Sequence, residues 1–261
     1  MKTDFKVLYK KHYAKLYTLA FRMTGNREDA EDVLQNSFLN AFKSYEKFQG
    51  RSKPYTWLYR IVINASKRYY NKHYKLPVTE YADELDISEK AVYKHINSFG
   101  KTENKALIEI TRETCLQMFM NCMPPKFRSV YTLRIMLQLN TKDTAAVLGI
   151  SQGAVKVNLH RAKKTIYSHM KGRCSLIKPG SMCDCRLFAK YIKETKQTNK
   201  YIDIELIRNN EQNAVDDFNT EMDEIIKIVK LYNNQIKPKL FESFLSELKE
   251  LVNRKDISLL D

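Results

Sequence analysis

The chain has 261 residues, 43% of them hydrophobic, and carries 45 Lys and Arg against 30 Asp and Glu, a net charge of +15. That hydrophobic share fills real cores and excludes wholesale disorder. The 7 glycines and 6 prolines are too few for the turns of a sandwich or barrel.

In chain order, a first helix is predicted over residues 5–23, where Phe5, Leu8, Tyr9, Leu16, Leu19, Ala20 and Met23 share a side. Gly25 and Asn26 break it. Asn26 suits the cap of a second helix, with Glu28, Asp29, Glu31 and Asp32 in its first turns, where the helix dipole favours acids. Ala30, Val33, Leu34, Phe38, Ala41 and Phe42 continue its apolar stripe. Residues 48–54 read as a loop, and a third helix is expected over 55–74, ended by Pro77. Residues 76–110 read as an acidic linker with one short helix near 88–98. The next unit is expected to hold a helix over 111–122, one from Pro124-Pro125 to about Leu139, a short helix over 141–148 and a longer one over 152–170. A glycine turn between the last two gives the helix-turn-helix layout. Beyond Gly172 come a loop over 174–185 and helices near 201–209, 217–231 and 240–254, the last with a Leu-rich stripe.

Charge follows the same division. Residues 1–75 carry 16 basic and 6 acidic side chains, net +10; residues 76–110 carry 4 and 7, net −3. Residues 111–173 carry 11 and 2, net +9; residues 174–261 carry 14 and 15, net −1. Two basic blocks flank an acidic joint. Positive charge in excess repels itself in a compact fold and calls for a polyanion, nucleic acid before an anionic membrane. No stretch resembles a signal peptide or a membrane span. The odd cysteine count, with no export signal, predicts a reducing, cytoplasmic compartment.

On the helix over 152–170, Val155, Leu159, Ala162 and Ile166 share a face that would pack on Ala145, Val147 and Leu148. Ser151 suits its cap. The other face shows Gln152, Lys156, His160, Lys163 and Lys164, with Arg161 at the flank. Such a helix fits the major groove, its first side chains reaching base edges and its cations reaching phosphates. A solvated basic face is the plainer reading of the same pattern.

Residues 141–164, TKDTAAVLGISQGAVKVNLHRAKK, resemble the −35 reading domain, region 4, of RNA polymerase sigma factors. Residues 29–39, DAEDVLQNSFL, resemble the region 2 helix that grips the β′ clamp helices of the polymerase. FQGRS at 48–52 and TWLYRIVIN at 56–64 resemble the −10 reading loop and helix. The resemblance spans about residues 5–172 and is to the sigma-70 family, of the extracytoplasmic-function (ECF) type. It implies an all-α protein of two small helical domains: region 2 over 1–75, a linker over 76–110 and region 4 over 111–172. A helical extension over 173–261 follows.

It also implies partners and roles. Core RNA polymerase would be met through its β′ clamp helices and β flap, with Asp29, Asp32, Gln35 and Phe38 on the docking helix. Promoter DNA would be met by Phe48, Arg51, Lys53, Arg60, Asn64, Lys67 and Arg68 at −10, and by Gln152, Lys156, His160, Arg161, Lys163 and Lys164 at −35. An anti-sigma factor is a further partner such proteins can have. A captured −10 base needs a pocket, a stacking surface and a polar reader. Tyr55, Trp57 and Tyr59 offer rings for stacking, though Trp57 is better suited to the core. Val157 and Asn158 depart from the small polar and basic residues of the pattern, which predicts a weaker or altered −35 contact. Asn140, Thr141 and Lys142 depart from its acidic start.

Eight residues part Cys174 from Cys183 and one parts Cys183 from Cys185. With His169 as the nearest fourth ligand, they would complete a tetrahedral zinc site; incidental packing is the alternative. Cys115 and Cys122 read as core residues. The cysteine segment and tail resemble an extension found in some ECF sigma factors, and are expected to act as a built-in regulator. A stand-alone helix-turn-helix regulator is the competing function, and it needs neither the 29–39 helix nor the −10 segment. No phosphate loop, zinc-protease motif or nucleophile elbow points to an enzyme.

Overall fold

A computed structural model describes residues 2–69, 77–84 and 86–195. Among them the regular elements are helical, apart from an isolated bridge between Cys174 and Cys183. Three helices form the N-terminal unit: α1 (Lys2–Thr24), α2 (Arg27–Ser44) and α3 (Pro54–Ser66). Gly25 turns α1 into α2 at φ +95, and Asn26 caps α2 by accepting from the Asp29 amide at 2.8 Å. Pro54 opens α3, where a missing N–H costs nothing. The predicted helix over 55–74 is shorter: α3 ends at Ser66 in a 3-10 turn, Lys67–Tyr69, and residues 70–76 lie outside the described ones. Phe5, Tyr9, Phe38, Phe42 and Tyr45 meet edge to face or tilted, with ring centres 5.0–5.8 Å apart for most pairs. Tyr9 donates its hydroxyl to the Leu34 carbonyl at 3.2 Å.

The expected linker is more structured than an acidic, apolar-poor stretch suggests. Pro77 does not end a unit; it starts α4 (Pro77–Glu84), followed by α5 (Glu89–Ser98), which Ser88 caps by accepting from the Ala91 amide. Next come α6 (Lys105–Asn121), which begins six residues earlier than predicted because Asn104 caps it, and α7 (Pro125–Tyr131). The helix predicted to reach Leu139 loosens into a π turn over Thr132–Met136, and Gln138 then adopts φ +56. The helix-turn-helix follows as α8 (Thr141–Leu148) and α9 (Gln152–Met170). The turn depends on Gly149, which sits in the left-handed region at φ +67 and donates its amide to the Ala145 carbonyl. A Cβ there would meet nothing within 4 Å. Gly149→Ala is therefore expected to cost about 1 kcal/mol through backbone strain alone, read as a lowered thermal midpoint.

An unexpected helix, α10 (Cys185–Thr195), ends the described chain. The helices predicted near 201–209, 217–231 and 240–254 lie outside the described residues.

The two helical units are packed on each other. Leu133, Leu137, Leu139 and Val147 of the second unit complete the core of α1–α3. Val147, expected beneath α9, points instead to the N-terminal unit. Arg22 of α1, 1% exposed, bonds the Gln117 amide oxygen at 3.1 Å and pairs with Glu113, both on α6. Asn121 closes so tightly on Gly25 that a Cβ there would lie 2.8 Å from its amide oxygen.

Candidate nucleic-acid interface

The α9 helix separates its two faces cleanly. Val155, Ala162, Ile166 and Met170 are buried, and Leu159 is half-buried against Ala145 and Val155. Ala162 and Ile166 pack on α6 and α7 residues rather than on α8. Gln152, Lys156, His160, Arg161 and Lys164 are exposed and Lys163 is half-exposed. Ser151 caps the helix by accepting from the Ala154 amide at 3.1 Å. Val157, in the middle of this surface, is 49% exposed, an apolar group among the cations.

The N-terminal set divides. Arg51, Asn64, Lys67 and Arg68 are exposed on α3 and its flanks. Phe48 lies on Trp57, ring centres 5.0 Å apart, and Trp57 packs partly into the core. Tyr59 is 2% exposed, and its burial pushes its phenol up, so its ring is a core ring and not a surface for bases. Lys53, Tyr55 and Arg60 are engaged by the second unit. Lys53 Nζ lies 3.1 Å and the Tyr55 hydroxyl 2.7 Å from the Asp143 carboxylate, and Arg60 donates to the Ala146 carbonyl. The Tyr55 hydrogen bond, then Lys53 and Asn140, hold the Asp143 carboxyl below its usual range. Nothing in a single sequence signals this pairing across 88 and 90 residues.

On α2, Asp32 is exposed, and Asp29 and Gln35 are half-exposed. Asp29 is held at the helix start by Asn26, whose Nδ2 donates to it at 2.6 Å. Phe38 lies half a turn around the helix from Asp29 and belongs to the aromatic core with Phe5 and Tyr9. Three of the four expected docking residues thus share accessible surface, and Phe38 mainly supports the helix from behind.

The three thiols of the expected zinc set lie within electrostatic reach of one another and of Cys115, but the expected fourth ligand is engaged elsewhere. His169 stacks on Phe119 with rings 6.1 Å apart. Cys174 sits in the α6–α9 core, Cys185 beside Ile108 and Ala189, and Cys183 against the α4–α5 residues. Burial pushes the Cys185 thiol up to about 11 and raises the Cys174 and Cys183 thiols as well. Among the described residues no group of three or more His, Cys, Asp or Glu is placed to hold a metal ion. Cys115 and Cys122 pack in the core as predicted.

Two basic helical units, one with a helix-turn-helix whose cationic face is open, define an all-α protein fitted to bind nucleic acid. The family description Sigma-70 region 2 matches residues 8–75, and Sigma-70, region 4 matches residues 113–166. The ECF RNA polymerase sigma-E factor of Haemophilus influenzae is 30% identical over 165 residues, covering 63% of this chain and 86% of that protein. The ECF sigma factor SigW of Bacillus subtilis is 28% identical, covering 60% and 83%. A solved sigma factor RpoE, in complex with the anti-sigma factor NepR from Bartonella quintana, aligns with a TM-score of 0.42 at 16% identity, over 64% of this chain and 97% of that one. The chain belongs to the sigma-70 family of RNA polymerase sigma factors, in its ECF group. It is a polymerase-binding factor that directs transcription initiation at promoters. Among the described residues no helix is long and apolar enough to cross a membrane.

Proposed function

We propose the following division of labour among its residues. Asp29, Asp32 and Gln35 on α2 dock on the β′ clamp helices. Arg51, Lys53, Arg60, Lys67 and Arg68 take the backbone around the −10 element, while Phe48 and Asn64 receive its exposed bases. Gln152, Lys156, His160, Arg161, Lys163 and Lys164 on α9 read the −35 element. The observation that carries this reading is the two-faced α9: an apolar face sunk into the second unit and a cationic face left open. Cations on such a face bind phosphates by releasing counterions, and its first turn reaches base edges.

Run-off transcription from genomic DNA with core polymerase plus this protein tests it, with discrete promoter-initiated products expected. Lys156→Ala is expected to weaken −35 duplex binding alike on every sequence. It should also flatten the plot of log affinity against log salt by about 0.9. An unchanged slope removes Lys156 from the phosphate contacts. A helix-turn-helix acting alone would leave the accessible acids of α2 without a role; capture of core polymerase by the immobilised protein separates the two readings. The segment 173–195 acts as a built-in regulator through its docking on α4–α6.

A further inference from the structure

The line of α9 that stands farthest from the core starts without a charge. At 3.6 residues per turn, Val157 lies about 140–180° around the helix from Val155, Ala162 and Ile166, the side chains that bury α9 in the second unit. The exposed cations stand to its sides. Lys156 and His160 lie about 100° and 60° round one way, and Arg161 about 40° round the other. Gly153, one turn before Val157 and close to the same line, is exposed and bears no side chain. A Cβ there would meet nothing nearer than the Ser151 hydroxyl oxygen at 3.8 Å. The packing of the chain thus leaves room for a larger residue, and alanine would make the better helix.

When such a helix enters the major groove, its flanking cations meet the phosphate walls and its outermost line meets the base edges at the floor. A valine there neither donates nor accepts a hydrogen bond, and pressing it on polar base edges costs them their hydration. The thymine C5-methyl is the apolar group that the major groove offers. Valine is branched and stiff at χ1, so the contact costs little side-chain freedom. It is also short, and it reaches the floor only if the helix comes close, which the bare Gly153 permits. Val7 and Ile87, the other large apolar side chains exposed among the described residues, lie outside this cationic face. We propose that Val157 reads a thymine methyl in the −35 element, with Gly153 allowing the close approach, and so fixes which base pair α9 accepts there. The inference rests on the −35 reading of α9 above.

The test uses holoenzyme, the full-length protein with core polymerase, on a promoter found by the run-off assay. Each thymine of the −35 element, on either strand, is replaced in turn by deoxyuridine, which removes only the methyl. Wild-type holoenzyme is expected to bind about three- to five-fold more weakly after one such replacement, the loss that follows when a methyl contact goes. Val157→Ala should bind the unmodified promoter more weakly by a similar factor and be indifferent to that replacement. Its side chain lies on open surface, so its urea midpoint should match that of the wild type. Lys156→Ala should lose affinity yet keep the full response to the missing methyl. Equal responses in the wild type and Val157→Ala, or no thymine whose methyl matters to the wild type, overturn the proposal. A wild-type holoenzyme that binds a scrambled −35 element as well as the native one strikes instead at the −35 reading, and the proposal falls with it.

Discussion

Arg128→Leu is expected to destabilise the protein by about 3 kcal/mol, more than any surface change. Arg128 lies on α7 and is 1% exposed. Its guanidinium donates to the Met23 carbonyl at 2.8 Å, the Asn121 carbonyl at 2.8 Å and the Met123 carbonyl at 3.3 Å. The first lies at the end of α1 and the second at the end of α6, where helices leave unpaired carbonyls and partial negative charge. One buried cation thus ties two helix ends from different units. Leucine orphans all three acceptors. The loss is smaller than their sum, because the wild-type protein also bears the cost of burying a charge. The midpoint of urea unfolding should fall by about 1 M or more. Arg128→Lys should recover only part of it, since an ammonium cannot fork between the two helix ends. A midpoint unmoved by Arg128→Leu would falsify the account.

The second large effect concerns polymerase binding. Asp32→Ala with Gln35→Ala is expected to weaken core polymerase association about 30- to 100-fold, as expected when two central contacts are truncated. Asp32→Arg should go further, since a like charge facing the partner's cations suppresses encounter as well as affinity. Both side chains lie on accessible surface of α2, away from Ala30, Val33, Leu34, Ser37 and Ala41, which carry its packing. The unfolding midpoint should therefore stay within error. Fluorescence titration of labelled protein with core enzyme measures the first quantity and urea unfolding the second. Undiminished affinity in the Asp32→Arg protein sinks the docking assignment.

Much of this is legible in the sequence. Apolar spacing located α1, α2 and α9, and the caps at Asn26 and Ser151 sit where short polar side chains precede the stripes of α2 and α9. The open cationic face of α9 follows from the same periodicity. What escaped was long-range. Val147 is apolar on either reading, and only tertiary packing decides that it faces the N-terminal unit. Tyr59 and Trp57 lie two apart on α3, so the helix turns one inward and leaves the other at its rim. The α10 helix did carry a signal: Phe188, Tyr191 and Ile192 at helical spacing behind Asp184, whose carboxylate accepts from the Arg186 amide at 2.9 Å. The cysteines before it suggest metal chemistry by their spacing. Their spacing fits ligands, while each thiol also packs against apolar side chains.

The contact of Lys53 and Tyr55 with Asp143 has a consequence for a protein searching a genome. Asp143 is a decoy anion carried on the same chain, occupying a cation that a passing phosphate would otherwise claim. The Lys53 side chain stays 58% exposed, so Asp143 offsets its charge only in part, and any polyanion that reaches Lys53 competes with that carboxylate.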